Sequence, residues 1–93
     1  MFEVFDATTA RNPAGTTVEI VDEGLRYRSE GRSLFVPLEY LYGENEVVIY
    51  GPSIRAWGVP DAPDAIGMIE RIGIVAELSA ALTVLGVKHR VEG

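Results

Sequence analysis

The chain has 93 residues, 47% of them apolar, with no cysteine and 14 acidic against 8 basic side chains for a formal charge of −6. That length implies one domain, residues 1–93, burying around two-thirds of its unfolded surface, and the apolar content excludes a disordered chain. Without cysteine there are no disulfides, thiolate metal sites or cysteine nucleophiles, and the acid excess counts against nucleic acid, whose binding rests on Lys and Arg contacts to phosphate.

Phe2 to Phe5 carries a weak strand signal, and Ala7 to Gly15 reads as loop. From Thr17 to Asp22 the chain is β-branched, and Glu23-Gly24 can supply a two-residue hairpin turn. That turn would pair Asp22 with Leu25, set Ile20 opposite Tyr27 on one face and Glu19 opposite Arg28 on the other. Glu30-Gly31 makes a second turn, pairing Ser29 with Arg32 and placing Tyr27 opposite Leu34, Leu25 opposite Val36 and Arg26 opposite Phe35. Pro37 removes a ladder donor, so its strand is at an edge or bulged there. A third turn over Gly43-Glu-Asn-Glu46 would pair Tyr42 with Val47 and Tyr40 with Ile49. Leu41, Val48 and Tyr50 would then share the face of Phe35, leaving an apolar outer face to be covered by the N-terminal segment, a partner or a second copy.

The stretch Tyr50 to Asp61 holds the only tryptophan, Trp57, and marks the change from strands to helix. Asp61 reads as an N-cap, with Pro63 in the first turn and Asp64 at the positive end of the helix dipole. Ile66, Ile69, Ile72, Val75, Leu78, Leu82 and Leu85 follow at helical spacing, with a kink or break expected near Gly73 and Gly86 as a C-cap. Val87 to Glu92 reads as a last strand. The expected architecture is α+β: an antiparallel meander of four to five strands, one long or broken helix across it, and a short terminal strand.

Little catalytic chemistry is available. His89 has no second histidine to complete a metal site and no adjacent acid to orient it. Ser53 lies outside any nucleophile elbow, and no glycine spacing cradles phosphate. No enzyme, metal or cofactor is expected. The first and third turns of a meander fall at one end of the sheet, so Asp22, Glu23, Glu44 and Glu46 gather there, with Tyr40 and Tyr42 close by as anchors and Glu30 and the helix start at the other end. Trp57 reads as a plug of the core. No apolar run approaches the ~18 residues of a membrane span, and Met1 to Asp6 lacks the features of a signal peptide. A cytoplasmic chain that does not engage a membrane is expected.

Val47-Val-Ile-Tyr-Gly-Pro-Ser-Ile-Arg-Ala-Trp57 resembles the motif of small bacterial immunity proteins that accompany polymorphic toxins and contact-dependent growth inhibition systems, in which a strand leads into Ser-Ile, two residues and a tryptophan. Upstream, Glu39 and Leu41 resemble the end of the family's preceding strand; downstream, Ile69-Glu-Arg, Ile74, Leu78, Leu82, Gly86 and Val91-Glu92 resemble its helix and terminal strand. Gly58-Val59 departs from the acidic or polar residues usual after the tryptophan, and this helix is more apolar than the family's. The resemblance implies a protein that binds a cognate toxin domain, often a nuclease, and blocks it stoichiometrically. Asp22, Glu23, Glu44 and Glu46, with Tyr40 and Tyr42, are then the expected contacts to a basic cleft. Two other readings fit the residues: a self-associating module, from the apolar helix and doubly apolar strands, and a single-stranded nucleic-acid binder stacking bases on exposed Tyr and Phe, which the charge opposes.

Overall fold

The computed structural model describes residues 1–41, 43–55, 58 and 65–93. Among these, seven strands lie in sheet order as they do in sequence: β1 (Glu3–Asp6), β2 (Thr9–Arg11), β3 (Thr17–Val21), β4 (Gly24–Ser29), β5 (Arg32–Leu41), β6 (Glu46–Tyr50) and β7 (His89–Glu92). All neighbours are antiparallel except β6 and β7, which are parallel and joined through helix α1 (Met68–Val84). The fold is α+β, with more strands than the four to five expected. The helix approaches β1, β2 and β7, strands from both ends of the sheet order, so the sheet curls around it.

The extra strands come from the N-terminal segment. Residues 7–15, expected to be loop, contain β2, because Asp6 closes a tight turn: its Oδ1 accepts hydrogen bonds from the Thr8 amide at 2.9 Å and the Thr8 hydroxyl at 3.3 Å. These bonds hold the Asp6 carboxyl below its ordinary range, the amide bond most of all. Asn12 organises the next turn, its side chain accepting from the Thr16 amide at 2.9 Å. The β1–β2 hairpin therefore extends the sheet edge by pairing with β3, and does not lie across the outer face as one expectation had it.

The β4–β5 register is as the Glu30-Gly31 turn requires, with Ser29 opposite Arg32 and Tyr27 opposite Leu34. Both turn residues have positive φ, 52° and 77°, the backbone handedness that matches strand twist in a two-residue hairpin. The β3–β4 register differs from expectation by two residues. Val21 pairs with Gly24, Ile20 with Leu25 and Glu19 with Arg26, and the turn is Asp22-Glu23, with Glu23 at φ 64°. Gly24 is spent on packing instead of turning: a Cβ there would lie 2.5 Å from the Val36 carbonyl oxygen and 2.6 Å from the Phe35 ring. A shift of two keeps every side chain on its expected face. Arg26 consequently bonds Glu19 across the ladder at 3.2 Å.

The third hairpin shifts by two as well, so that Leu38 pairs with Ile49, Tyr40 with Val47 and Leu41 with Glu46. Asn45 supplies the positive φ of 53°. Val48, expected on an open outer face, is only 2% exposed, while Tyr50 is half exposed. Strand β5 changes partners along its length: 32–37 pair with β4 and 38–41 with β6, the exchange falling at Pro37.

The helix is continuous through Gly73 and ends in a Schellman motif, with Gly86 at φ 76° donating to the Thr83 carbonyl and Val87 to that of Leu82. Its described N-cap is Gly67; Asp61, Pro63 and Asp64, assigned to the helix start, lie outside the described residues, as does Trp57 with its role as a plug. The inward stripe is Ile74, Leu78, Ala81 and Leu82, flanked by Val75 and Leu85. Ile69 and Ile72, expected on that stripe, instead face solvent at 86% and 62% exposure. Leu78 and Leu82 meet Val18, Leu25, Val36 and Ile49 in a core whose fully buried aliphatic side chains each contribute about 1.5–3 kcal/mol.

Candidate functional site

The β3–β4 turn is tied to the middle of β5 by the Leu38 amide, which donates to the Glu23 carbonyl at 3.0 Å. Asp22 and Glu23 therefore stand beside the point where β5 leaves β4. The β5–β6 turn lies farther along, closed by the Glu44 amide donating to the Leu41 carbonyl at 3.0 Å. The two attachment points, Leu38 and Leu41, are three residue steps apart along β5, about 10 Å. Between them an open groove of about 380 Å³ is lined by Glu23, Phe35, Pro37, Leu38 and Tyr40. Tyr40, 41% exposed, also borders a hollow of about 400 Å³ formed with Leu41, Asn45, Glu46, Val87 and Lys88. One end of the sheet thus carries a half-exposed aromatic ring between two acidic turns.

The four acids expected at this end lie in or beside its two turns, but not in equal states. Asp22, Glu23 and Glu44 are exposed and form no ion pair among the described residues. Glu46, expected in the exposed turn, is instead the first residue of β6, its side chain only 13% exposed and its carboxylate 3.8 Å from Arg90. The parallel strand β7 supplies that arginine. Tyr42 lies outside the described residues. At the opposite end Arg32 reaches Glu70 at 3.4 Å, joining the β4–β5 turn to the start of α1.

Two polar pairs inside the molecule went unseen in the sequence. Tyr27, on the core face of β4 and 2% exposed, donates to Glu77 of α1 at 2.8 Å. Burial, and then the bond to the nearby carboxylate, raises the Tyr27 phenol pKa well above its ordinary value of 10.0. The unfolded chain ionises near that ordinary value while the folded one stays neutral, so stability present below pH 10 falls as pH rises beyond it. Tyr27→Phe is expected to cost about 1 kcal/mol at neutral pH and to flatten the alkaline limb, read from urea unfolding between pH 8 and 11; an unchanged limb would show that the phenol does not set it.

Ser79 and His89 form the second pair, with Oγ and Nε2 2.7 Å apart, while Nδ1 lies 2.9 Å from the Val87 carbonyl. The carbonyl can only accept, so Nδ1 carries a proton, and in the neutral ring Nε2 accepts from the Ser79 hydroxyl. The arrangement looks like a nucleophile and its base, yet Ser79 sits in mid-helix, where neighbouring amides are committed to the helix and cannot form an oxyanion hole. Its work is to lock β7 onto α1. Spacing alone gave no sign of it, since Ser79 and His89 are on different elements.

Among the described residues no cluster of three or more His, Asp or Glu could hold a metal ion, and no helix is long and apolar enough to cross a membrane. The geometry at the acidic end suits contact with a large, positively charged surface: shallow, open, rimmed by carboxylates, with an aromatic side chain at its centre. No family model matches the chain, and no curated protein or solved structure matches it.

Proposed function

We propose that this chain is a cytoplasmic, non-enzymatic immunity protein that binds a toxin domain, with a nuclease the best fit, and neutralises it stoichiometrically. The partner's basic cleft meets the acidic end of the sheet. The observation that carries this reading is the set of carboxylates in the two turns, Asp22, Glu23 and Glu44, which form no ion pair among the described residues, with Glu23 and Tyr40 lining one groove. The motif around Ser53 and Ile54 supports the choice of partner class. Exposed carboxylates lose little solvation until contact and act at long range, so they accelerate encounter with a cationic cleft. Tyr40 then supplies buried aromatic area at low entropic cost.

The test is co-expression with a toxin domain encoded beside this chain's gene. Growth should be restored, and a complex of one copy of each chain should survive size-exclusion chromatography. Tyr40→Ala should weaken the complex by about 10-fold or more. Continued killing, with no complex at micromolar concentrations, would remove the proposal.

A further inference from the structure

The outward face of α1 is free of charge along its whole length. Opposite the buried stripe stand Ile69, Ile72, Gly73, Ala76, Ala80 and Thr83, all exposed. Surface helices ordinarily put their charges there. The two acids at the margin are turned aside: Glu70 lies against Arg32 and Glu77 accepts from Tyr27. The outer face of the sheet is different, since Glu19, Arg26, Arg28 and Glu39 alternate along it with Phe35. Exposed apolar side chains also stand on the strands, Val4, Phe5, Phe35 and Tyr50 among them, whereas along the outward helix face no charged residue separates them.

This surface has two unlike halves. In the first turns Ile69 and Ile72 project, 86% and 62% exposed. In the second half the side chains are small, and an open, largely apolar groove of about 570 Å³ runs beside them, bordered by Phe2, Ala76, Ala80, Thr83 and Val84, with Met1, Asn12 and Glu77 at its margin. A two-fold axis through Ala76 would set the projecting half of one copy against the recessed half of another. In an antiparallel pairing of two copies, Ile72 of each falls opposite Ala80 of the other, and Ile69 opposite Thr83, while Ala76 meets itself. Projections on one copy enter recesses on the other, which is the self-complementarity an isologous interface demands.

We propose that the chain forms a homodimer through the outward face of α1, paired antiparallel about Ala76. The helix is about 26 Å long, so the contact belongs to the smaller class, under about 1,200 Å² in total, and dissociates in the micromolar range. Each copy carries a charge of −6, so the two repel at long range and added salt tightens the dimer. The opposite holds for an acidic surface gripping a basic partner. This dimer also leaves the acidic end of each sheet open and stands independently of the proposed function.

Sedimentation equilibrium of the full chain from 1 to 200 μM, in 50 and 500 mM salt, tests it. A monomer–dimer equilibrium that is tighter at high salt is expected. Ala76→Glu sets like charges on the two-fold axis and should weaken association at least 100-fold with unchanged circular dichroism and urea midpoint at 1 μM. Because the chain has no cysteine, a single Ala76→Cys substitution offers a second reading: rapid disulfide-linked dimer under mild oxidation, with Glu30→Cys remaining monomeric. A wild-type monomer at 200 μM in 500 mM salt, or a dimer indifferent to Ala76→Glu, would overturn the proposal.

Discussion

Leu78→Ala is expected to destabilise the protein by about 3 kcal/mol, lowering its melting temperature by roughly 12–24 °C. Leu78 is fully buried on the inward face of α1, where its side chain joins the helix to the curled sheet. Its truncation removes transfer energy and leaves a cavity that a sheet closing on the helix from both ends cannot easily collapse. A domain of this size has about 5–10 kcal/mol in total, so the loss is a large fraction. Ile69→Ala, nine positions earlier on the same helix, is the counterpart. Ile69 is 86% exposed, so at 1 μM, below the dimer range, the change should stay within about 0.5 kcal/mol. Equal losses for the two would mean that the assignment of helix faces is wrong.

Gly24→Val is the second severe substitution. Even the first carbon of a side chain would lie 2.5 Å from the Val36 carbonyl oxygen and 2.6 Å from the Phe35 ring. The oxygen belongs to backbone in mid-sheet and cannot move away alone; the ring can, but only by exposing the strand beneath it. A loss at or above the upper end of about 1–3 kcal/mol is expected in chemical denaturation. Phe35→Ala should partly relieve it, because one of the two obstacles is then gone. Gly31→Val also destabilises, by a different route: nothing lies within 4 Å of a Cβ there, but the residue sits at φ 77°. Pairing Gly31→Val with Phe35→Ala should show no such relief. A mild effect of Gly24→Val would mean that the β3–β4 turn uses Gly24 after all.

The same glycine explains what the sequence could and could not disclose. Alternation from Thr17 to Val36 specifies which side chains face the core, and those faces are as expected. The rung at which the strands pair was not legible, because Glu23-Gly24 and Asp22-Glu23 are both credible turns; moving the turn by one position shifts the register by two, which leaves the faces unchanged. Only the approach of Phe35 decides between them, and that contact is tertiary. The β2 strand was hidden because Thr9-Ala10-Arg11 has little β character of its own; its Ala10 is buried by pairing with β3 and by the helix. On α1, apolar residues also occupy positions outside the buried stripe, so helical spacing could be satisfied by more than one stripe, and the chosen one mixed inward Leu78 and Leu82 with outward Ile69 and Ile72. The acidic end followed from turn positions alone. The exception is Glu46, whose approach to Arg90, an arginine shared with Glu92, depends on the parallel pairing of β6 with β7, which strand signals do not announce.

The proposed role is tested most directly by the rate of association between this chain and the toxin domain encoded beside it, measured by stopped flow at 50 and 500 mM salt. The wild type should associate fast at low salt and markedly more slowly at high salt. The triple variant Asp22→Lys, Glu23→Lys, Glu44→Lys should be about 10- to 100-fold slower at 50 mM, with the gap narrowing at 500 mM, while Ala76→Glu behaves as wild type. A triple variant that associates as fast as the wild type at low salt would contradict the account.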